Sequence, residues 1–179
     1  MTTFNILLVC TANICRSPLM ELSLRAALDP ERFAVSSAGV HGWDAAPMDK
    51  DSARQAHRFG LKTDEFRSRP LQASYVDNAN LVLTATREHR TQVLQLSPRA
   101  LKRTFTLKEF ARLGMAQADL PLNELVAAAA RKRSTLGAAP LDVGDPYRES
   151  YEVHARVADE IHASTTTVAF ILGKAVSEV

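Results

Sequence analysis

The chain has 179 residues, 46% of them hydrophobic and 23% charged, which suits one packed core and excludes a disordered polymer. A formal charge of +2 carried by scattered basic residues excludes the dense basic face of a nucleic-acid binder, and no apolar run reaches membrane-spanning length. The two cysteines cannot build a secreted disulfide framework, and no positive charge precedes the first apolar run, so the chain reads as cytoplasmic with no targeting segment.

Phe4 to Val9 is continuously apolar, as expected of a strand buried on both faces. It leads into Val9-Cys10-Thr11-Ala12-Asn13-Ile14-Cys15-Arg16-Ser17-Pro18, where Cys10 and Arg16 bracket five loop residues. Such a loop can curl so that successive N–H groups point at one centre, while an arginine offers a planar fork to two phosphate oxygens. A cysteine at its base would then be aimed at phosphorus. A helix is expected from Pro18 to Leu28, with Ser17 as N-cap, Pro18 at the first helical position, and Leu19, Leu22 and Ala26 at helical spacing. An anion held by the loop would rest on that helix N-terminus, a setting that also favours a thiolate.

Further strands are expected at Phe33 to Val35, Asn80 to Thr84 and Arg103 to Thr106. Helices are expected at Lys50 to Phe59, Arg87 to Leu96, Leu107 to Leu113, Leu120 to Arg133 and Arg148 to Leu172. This alternation predicts an α/β doubly wound sandwich, a central four-stranded parallel sheet with helices on both faces, as a single domain over 1–179. Ligands of such sheets sit at the carboxyl ends of the strands, where the Cys10 loop lies. Arg131-Lys132-Arg133 reads as a solvated helix end, and Ser134 to Gly144 as a loop-rich stretch running into Asp145. None of the histidines His41, His57, His89, His154 and His162 pairs at the i, i+4 spacing of a metal site, so no metal is expected, and His41 reads as an exposed loop residue.

The run from Cys10 to Ser17, Ser36-Ser37-Ala38-Gly39, Trp43 and Asp145-Pro146-Tyr147 together resemble the low-molecular-weight protein tyrosine phosphatase family, over about residues 4 to 172. The resemblance implies a phosphotyrosine phosphatase working without cofactor through a phosphocysteine. Cys10 would be the nucleophile, Arg16 and the loop Thr11, Ala12, Asn13, Ile14 and Cys15 would bind the phosphoryl group, and Asp145 would be the general acid and base. Ser17 would donate to the Cys10 sulfur, Asn13 and Ser37 would brace the loop, and Trp43 and Tyr147 would wall a slot for an aryl phosphate too deep for phosphoserine. Ile14 stands where relatives preferring phosphoarginine carry threonine. Cys15 would form a reversible disulfide with Cys10. Ala12 departs from a common loop glycine, Phe66 from a histidine that helps brace the network, and Ala85-Thr86 from a methionine-aspartate pair, read as a packing variation. The partners implied are tyrosine-phosphorylated proteins, with a bacterial tyrosine autokinase among them by analogy. The alternatives are a catalytically weak phosphoprotein-binding module, motivated by Ala12 and Phe66, a phosphoarginine phosphatase, and, least, an arsenate reductase, which needs resolving cysteines this chain lacks.

Overall fold

The structure is a computed structural model that describes residues 3–175. Its four strands, β1 (Phe4–Cys10), β2 (Phe33–Gly39), β3 (Leu81–Thr84) and β4 (Thr104–Thr106), form an all-parallel sheet in the order β2-β1-β3-β4. Because β1 pairs with both β2 and β3, the chain reverses its winding direction there, and the crevice beyond the carboxyl end of β1 opens at Cys10. Ile6, Leu8 and Cys10 pack into one hydrophobic cluster and Leu7 and Val9 into the other, which is why the strand is apolar at every position but Asn5.

The larger cluster is covered by α1 (Arg16–Ala27), α2 (Lys50–Arg58), α5 (Leu107–Met115), α6 (Leu122–Arg131) and the 24-residue α7 (Tyr151–Lys174). The smaller is covered by α3 (Ala73–Asn78), α4 (Arg87–Leu96) and a 3-10 turn at Pro98–Arg103. Capping chemistry sets several starts. Thr106 and Glu109 close a reciprocal capping box on α5, Thr86 accepts from the His89 amide at α4, and Asp49 accepts from the amides of Asp51 and Ser52 at α2.

Local differences from expectation have identifiable causes. β2 runs to Gly39 rather than Val35, because Ser36 and Ser37 keep pairing with Leu7 and Leu8 although their side chains break the apolar run. The short α3 and the 3-10 turn lack a long periodic pattern and were not expected. α7 starts at Tyr151, not Arg148, because Arg148 sits at φ 64°, outside helical geometry, and Ser150 provides the N-cap. Arg133 is not a solvated helix end. It lies 3.1 Å from Glu109, donates to the Thr104 carbonyl at 2.8 Å and covers the Phe105 ring, so the segment after α6 is pinned along the edge strand β4. Among the described residues no helix is long and apolar enough to cross a membrane.

Candidate active site

Cys10 ends the central strand, and the next five residues curl back against the segment after β2. The Cys10 carbonyl accepts from the Val40 amide at 2.9 Å, Thr11 from His41 at 2.9 Å, Ala12 from Trp43 at 3.2 Å and Ile14 from Asp49 at 2.8 Å. With its carbonyls held outward, the loop's N–H groups are left to converge on the opposite side. Gly39 is required for this contact, since a Cβ there would stand 2.5 Å from the Thr11 carbonyl oxygen. The left-handed position of the loop is Asn13, at φ 58°, and not Ala12. Ala12 therefore imposes no left-handed strain.

The Asn13 side chain is a hub. Its amide nitrogen donates to Ser17 Oγ at 2.8 Å and Ser37 Oγ at 2.7 Å, and its oxygen accepts from the Arg69 amide at 2.9 Å. An amide nitrogen only donates, so each serine oxygen accepts from it and turns its own proton elsewhere. Ser37 donates to Glu21 Oε2, and Ser17 Oγ meets Cys10 Sγ at 3.0 Å, with its proton directed at the sulfur. Ser17 is thus not the helix N-cap. α1 begins at Arg16, its N-cap is Cys15, and no side chain caps it. Glu21 is buried, pairs with Arg25 at 2.7 Å, and burial raises its carboxyl above the ordinary range. Phe66 joins the hydrophobic core, and the acceptor for Ser37 is this carboxylate.

On the open side, Cys10, Thr11, Ala12, Ile14, Cys15, Arg16, His41, Trp43, Asp145 and Tyr147 line a pocket of about 240 Å³. A larger cavity of about 770 Å³ lies elsewhere, beside Glu21, Arg25 and Arg69 behind the loop network, and no cysteine lines it. Arg16 is buried, with Nη1 donating to the Val143 carbonyl at 3.2 Å and Nη2 to Thr11 Oγ1 at 3.1 Å and Asp145 Oδ2 at 2.8 Å. Its Nε is buried with no partner, a donor that an anion in the loop would satisfy. The Asp145 loop is itself held in place. The Val143 amide donates to the Ala85 carbonyl at 2.8 Å, and Asp142 accepts from the Arg87 amide at 2.8 Å. The Trp43 and Tyr147 rings meet edge to face, centroids 6.3 Å apart, at the mouth.

Of the catalytic, binding and supporting residues expected from sequence, Asn13, Ser17 and Ser37 stand behind the pocket, while Cys10, Thr11, Ala12, Ile14, Cys15, Arg16, Trp43, Asp145 and Tyr147 line it. His41 lines it as well, although exposed. Cys10 and Cys15 are free thiols, and burial pushes the Cys15 thiol up to about 12. Sequence reasoning missed Glu21, Arg69 and above all His89, whose ring touches Thr11 at 2.9 Å and Thr86 at 2.8 Å. Thr86 is accordingly a hydrogen-bonding residue and not only a packing variation. Burial, then the nearby Arg16 charge, lowers His89 to about 4, so its ring is neutral. Among the described residues no group of His, Cys, Asp and Glu side chains is placed to hold a metal ion.

The family model of the low molecular weight phosphotyrosine protein phosphatases matches residues 5–124, ending short of Asp145. The low molecular weight protein-tyrosine-phosphatase Etp of Escherichia coli K12 is 39% identical over 100 residues, 56% of this chain and 66% of that relative, just under two thirds of its length. A protein-arginine-phosphatase of Geobacillus stearothermophilus is 33% identical over 107 residues, 60% of this chain and 71% of that relative. Among solved structures, the YwlE arginine phosphatase from Geobacillus stearothermophilus superposes with a TM-score of 0.73 at 26% identity, covering 93% of this chain and 90% of that one. The tyrosine phosphatase Wzb from Escherichia coli K30, solved in complex with sulphate, shares the fold at a TM-score of 0.73 and 23% identity, covering 94% of this chain and 97% of that one. A cysteine loop closed by a buried arginine at the end of β1, together with a family match spanning well over half the chain, places the protein in the low molecular weight phosphotyrosine protein phosphatase family.

Proposed function

We propose that the protein hydrolyses phosphotyrosine in phosphoproteins through a phosphocysteine intermediate. The observation that carries this reading is one pocket in which Cys10, Arg16 and Asp145 converge beneath the Trp43 and Tyr147 rings. The Cys10 thiolate, receiving the Ser17 proton as a hydrogen bond, attacks phosphorus in line. The S–P bond forms as the P–O bond to the aryl group breaks. Loop amides and Arg16 take the charge on the equatorial oxygens. The incoming phosphoryl group competes with Asp145 for Arg16 and occupies the unpartnered Nε, which frees the Asp145 carboxylate to take up a proton from solvent and give it to the departing phenolate. Asp145 then takes a proton from the water that breaks the S–P bond, and inorganic phosphate leaves.

The roles predict that Cys10→Ser abolishes aryl phosphate turnover and that Asp145→Ala lowers it by roughly 10²- to 10⁴-fold, with a smaller loss for good leaving groups. Steady-state assays across aryl phosphates of graded leaving-group ability check this, and equal activity of Asp145→Ala toward a poor leaving group overturns the mechanism. Failure of the wild-type protein to turn over any aryl phosphate while still binding phosphoprotein would favour the binding-module reading. Substrate trapping with Cys10→Ser identifies the phosphoproteins.

A second reading, phosphoarginine hydrolysis, is raised by the arginine phosphatase relatives. Ile14 favours tyrosine. It is buried on the pocket wall and brings a branched apolar surface that suits an aryl ring and has no hydroxyl for a phosphoguanidinium. We expect a wild-type kcat/KM preference for phosphotyrosine of about 10-fold or more, shifted toward phosphoarginine in Ile14→Thr. An unchanged ratio removes Ile14 as the selector.

A further inference from the structure

His89 is a buried imidazole 78 positions away from Thr11 in sequence, and its contacts define what the Thr11 hydroxyl does. Thr11 Oγ1 accepts from Arg16 Nη2 at 3.1 Å and meets His89 Nε2 at 2.9 Å. On the other edge of the ring, Nδ1 meets Thr86 Oγ1 at 2.8 Å, and the same oxygen accepts the His89 backbone amide at 3.2 Å. A neutral imidazole has one donor and one acceptor, so only two arrangements are consistent with these four contacts. With the proton on Nδ1, Thr11 donates to Nε2, and the oxygen's remaining lone pair faces the pocket that Thr11 lines. With the proton on Nε2, both lone pairs of Thr11 Oγ1 are occupied, by Arg16 and His89, and its own O–H must point into the pocket. Thr86 Oγ1 then accepts the backbone amide and donates to Nδ1. A lone pair repels a phosphoryl oxygen and an O–H binds it, so an anion in the pocket selects the second arrangement.

Resting on the phosphatase reading above, we propose that His89 is a positioning residue whose Nε2–H tautomer turns the Thr11 hydroxyl toward the bound phosphoryl group, adding a side-chain donor to the loop amides and Arg16. The chemistry recognised is the phosphoryl oxygen itself, so the effect extends to inorganic phosphate. The largely unexposed ring and its low basicity keep it neutral at physiological pH, which the arrangement needs, because an imidazolium would present donors on both edges.

The test uses the whole protein and inorganic phosphate. Nitrogen-15 NMR of the histidine ring in the phosphate-saturated protein should show His89 protonated on Nε2. Titration should show Thr11→Val binding phosphate about tenfold more weakly, with Thr11→Ser within about twofold of wild type. Combining Thr11→Val with His89→Gln should weaken binding no further than Thr11→Val alone, since both remove one hydrogen bond, whereas independent effects would multiply. His89 protonated on Nδ1 with phosphate bound, or unchanged phosphate affinity in Thr11→Val, overturns the proposal, and the tautomer is read on wild type whether or not His89→Gln folds. A wild-type protein that binds no phosphate overturns the phosphatase reading itself, an outcome distinct from binding with the wrong tautomer.

Discussion

Asn13 combines two demands that different substitutions separate. Its backbone is left-handed at φ 58°, and its side chain joins Ser17, Ser37 and the Arg69 amide. Asn13→Gly relieves the backbone but removes the hydrogen bonds, and Asn13→Ala keeps the strain and removes them as well. Both should lower kcat by about 10-fold or more, because the Ser17 proton is no longer held toward Cys10, and urea melts should find Asn13→Gly more stable than Asn13→Ala by about 1 kcal/mol. Equal kcat in Asn13→Gly and wild type would show that the hub does not orient Ser17. The two cysteines should also differ. Burial keeps Cys15 a thiol near neutrality, so iodoacetamide at pH 7.5 should alkylate Cys10 and leave Cys15 unmodified, read by peptide mass spectrometry. The same protonation slows the attack that would close the expected Cys10–Cys15 bridge. Alkylation of Cys15 at a rate matching Cys10 would contradict this.

At the scale of elements, α1 is incomplete without an anion. Its N-cap residue offers no side-chain hydrogen bond and its first turn holds no acidic residue. The first helical amides and the positive end of the dipole therefore face the loop without a capping group. A bound oxyanion supplies that cap, so phosphate or vanadate at about 100 times its Kd should stabilise the fold by about 2.7 kcal/mol, seen as a rise in Tm that chloride does not reproduce. The strand-loop-helix unit that creates this site was legible in the sequence because its signals are contiguous: an apolar run, a cysteine, an arginine, then helical periodicity. The exact helix start was not. Ser17 followed by Pro18 has good capping chemistry, but Asn13 and the Cys10 sulfur compete for the same hydroxyl and win. The end of β2 was hidden for a related reason, since Ser37 is polar yet buried and satisfied by Glu21 and Asn13.

For the molecule as a whole, acid stability carries the mark of His89. Its folded value lies below the ordinary 6.5, so between pH 6.5 and about 4 the unfolded chain binds a proton that the native state does not. Native stability from this group is present above pH 6.5 and is lost as pH falls toward 4. Urea midpoints compared at pH 7 and pH 5 should fall less in His89→Gln than in wild type, by on the order of 1 kcal/mol in stability. An identical fall in both would show that another group controls the acid limb. The sequence by itself determined the parallel α/β architecture and the Cys10 to Arg16 loop, because buried strands, helical faces and a curled anion loop each write their pattern into neighbouring residues. Only the tertiary structure decided what surrounds that loop. Arg16 meets Asp145 across 129 positions, Thr11 meets His89 across 78, and Asn13 meets Ser37 across 24. A hydrogen bond between distant side chains leaves no periodicity along the chain, so which serine, histidine or glutamate belongs to the site follows from how the strands and helices bring them within about 3 Å of one another.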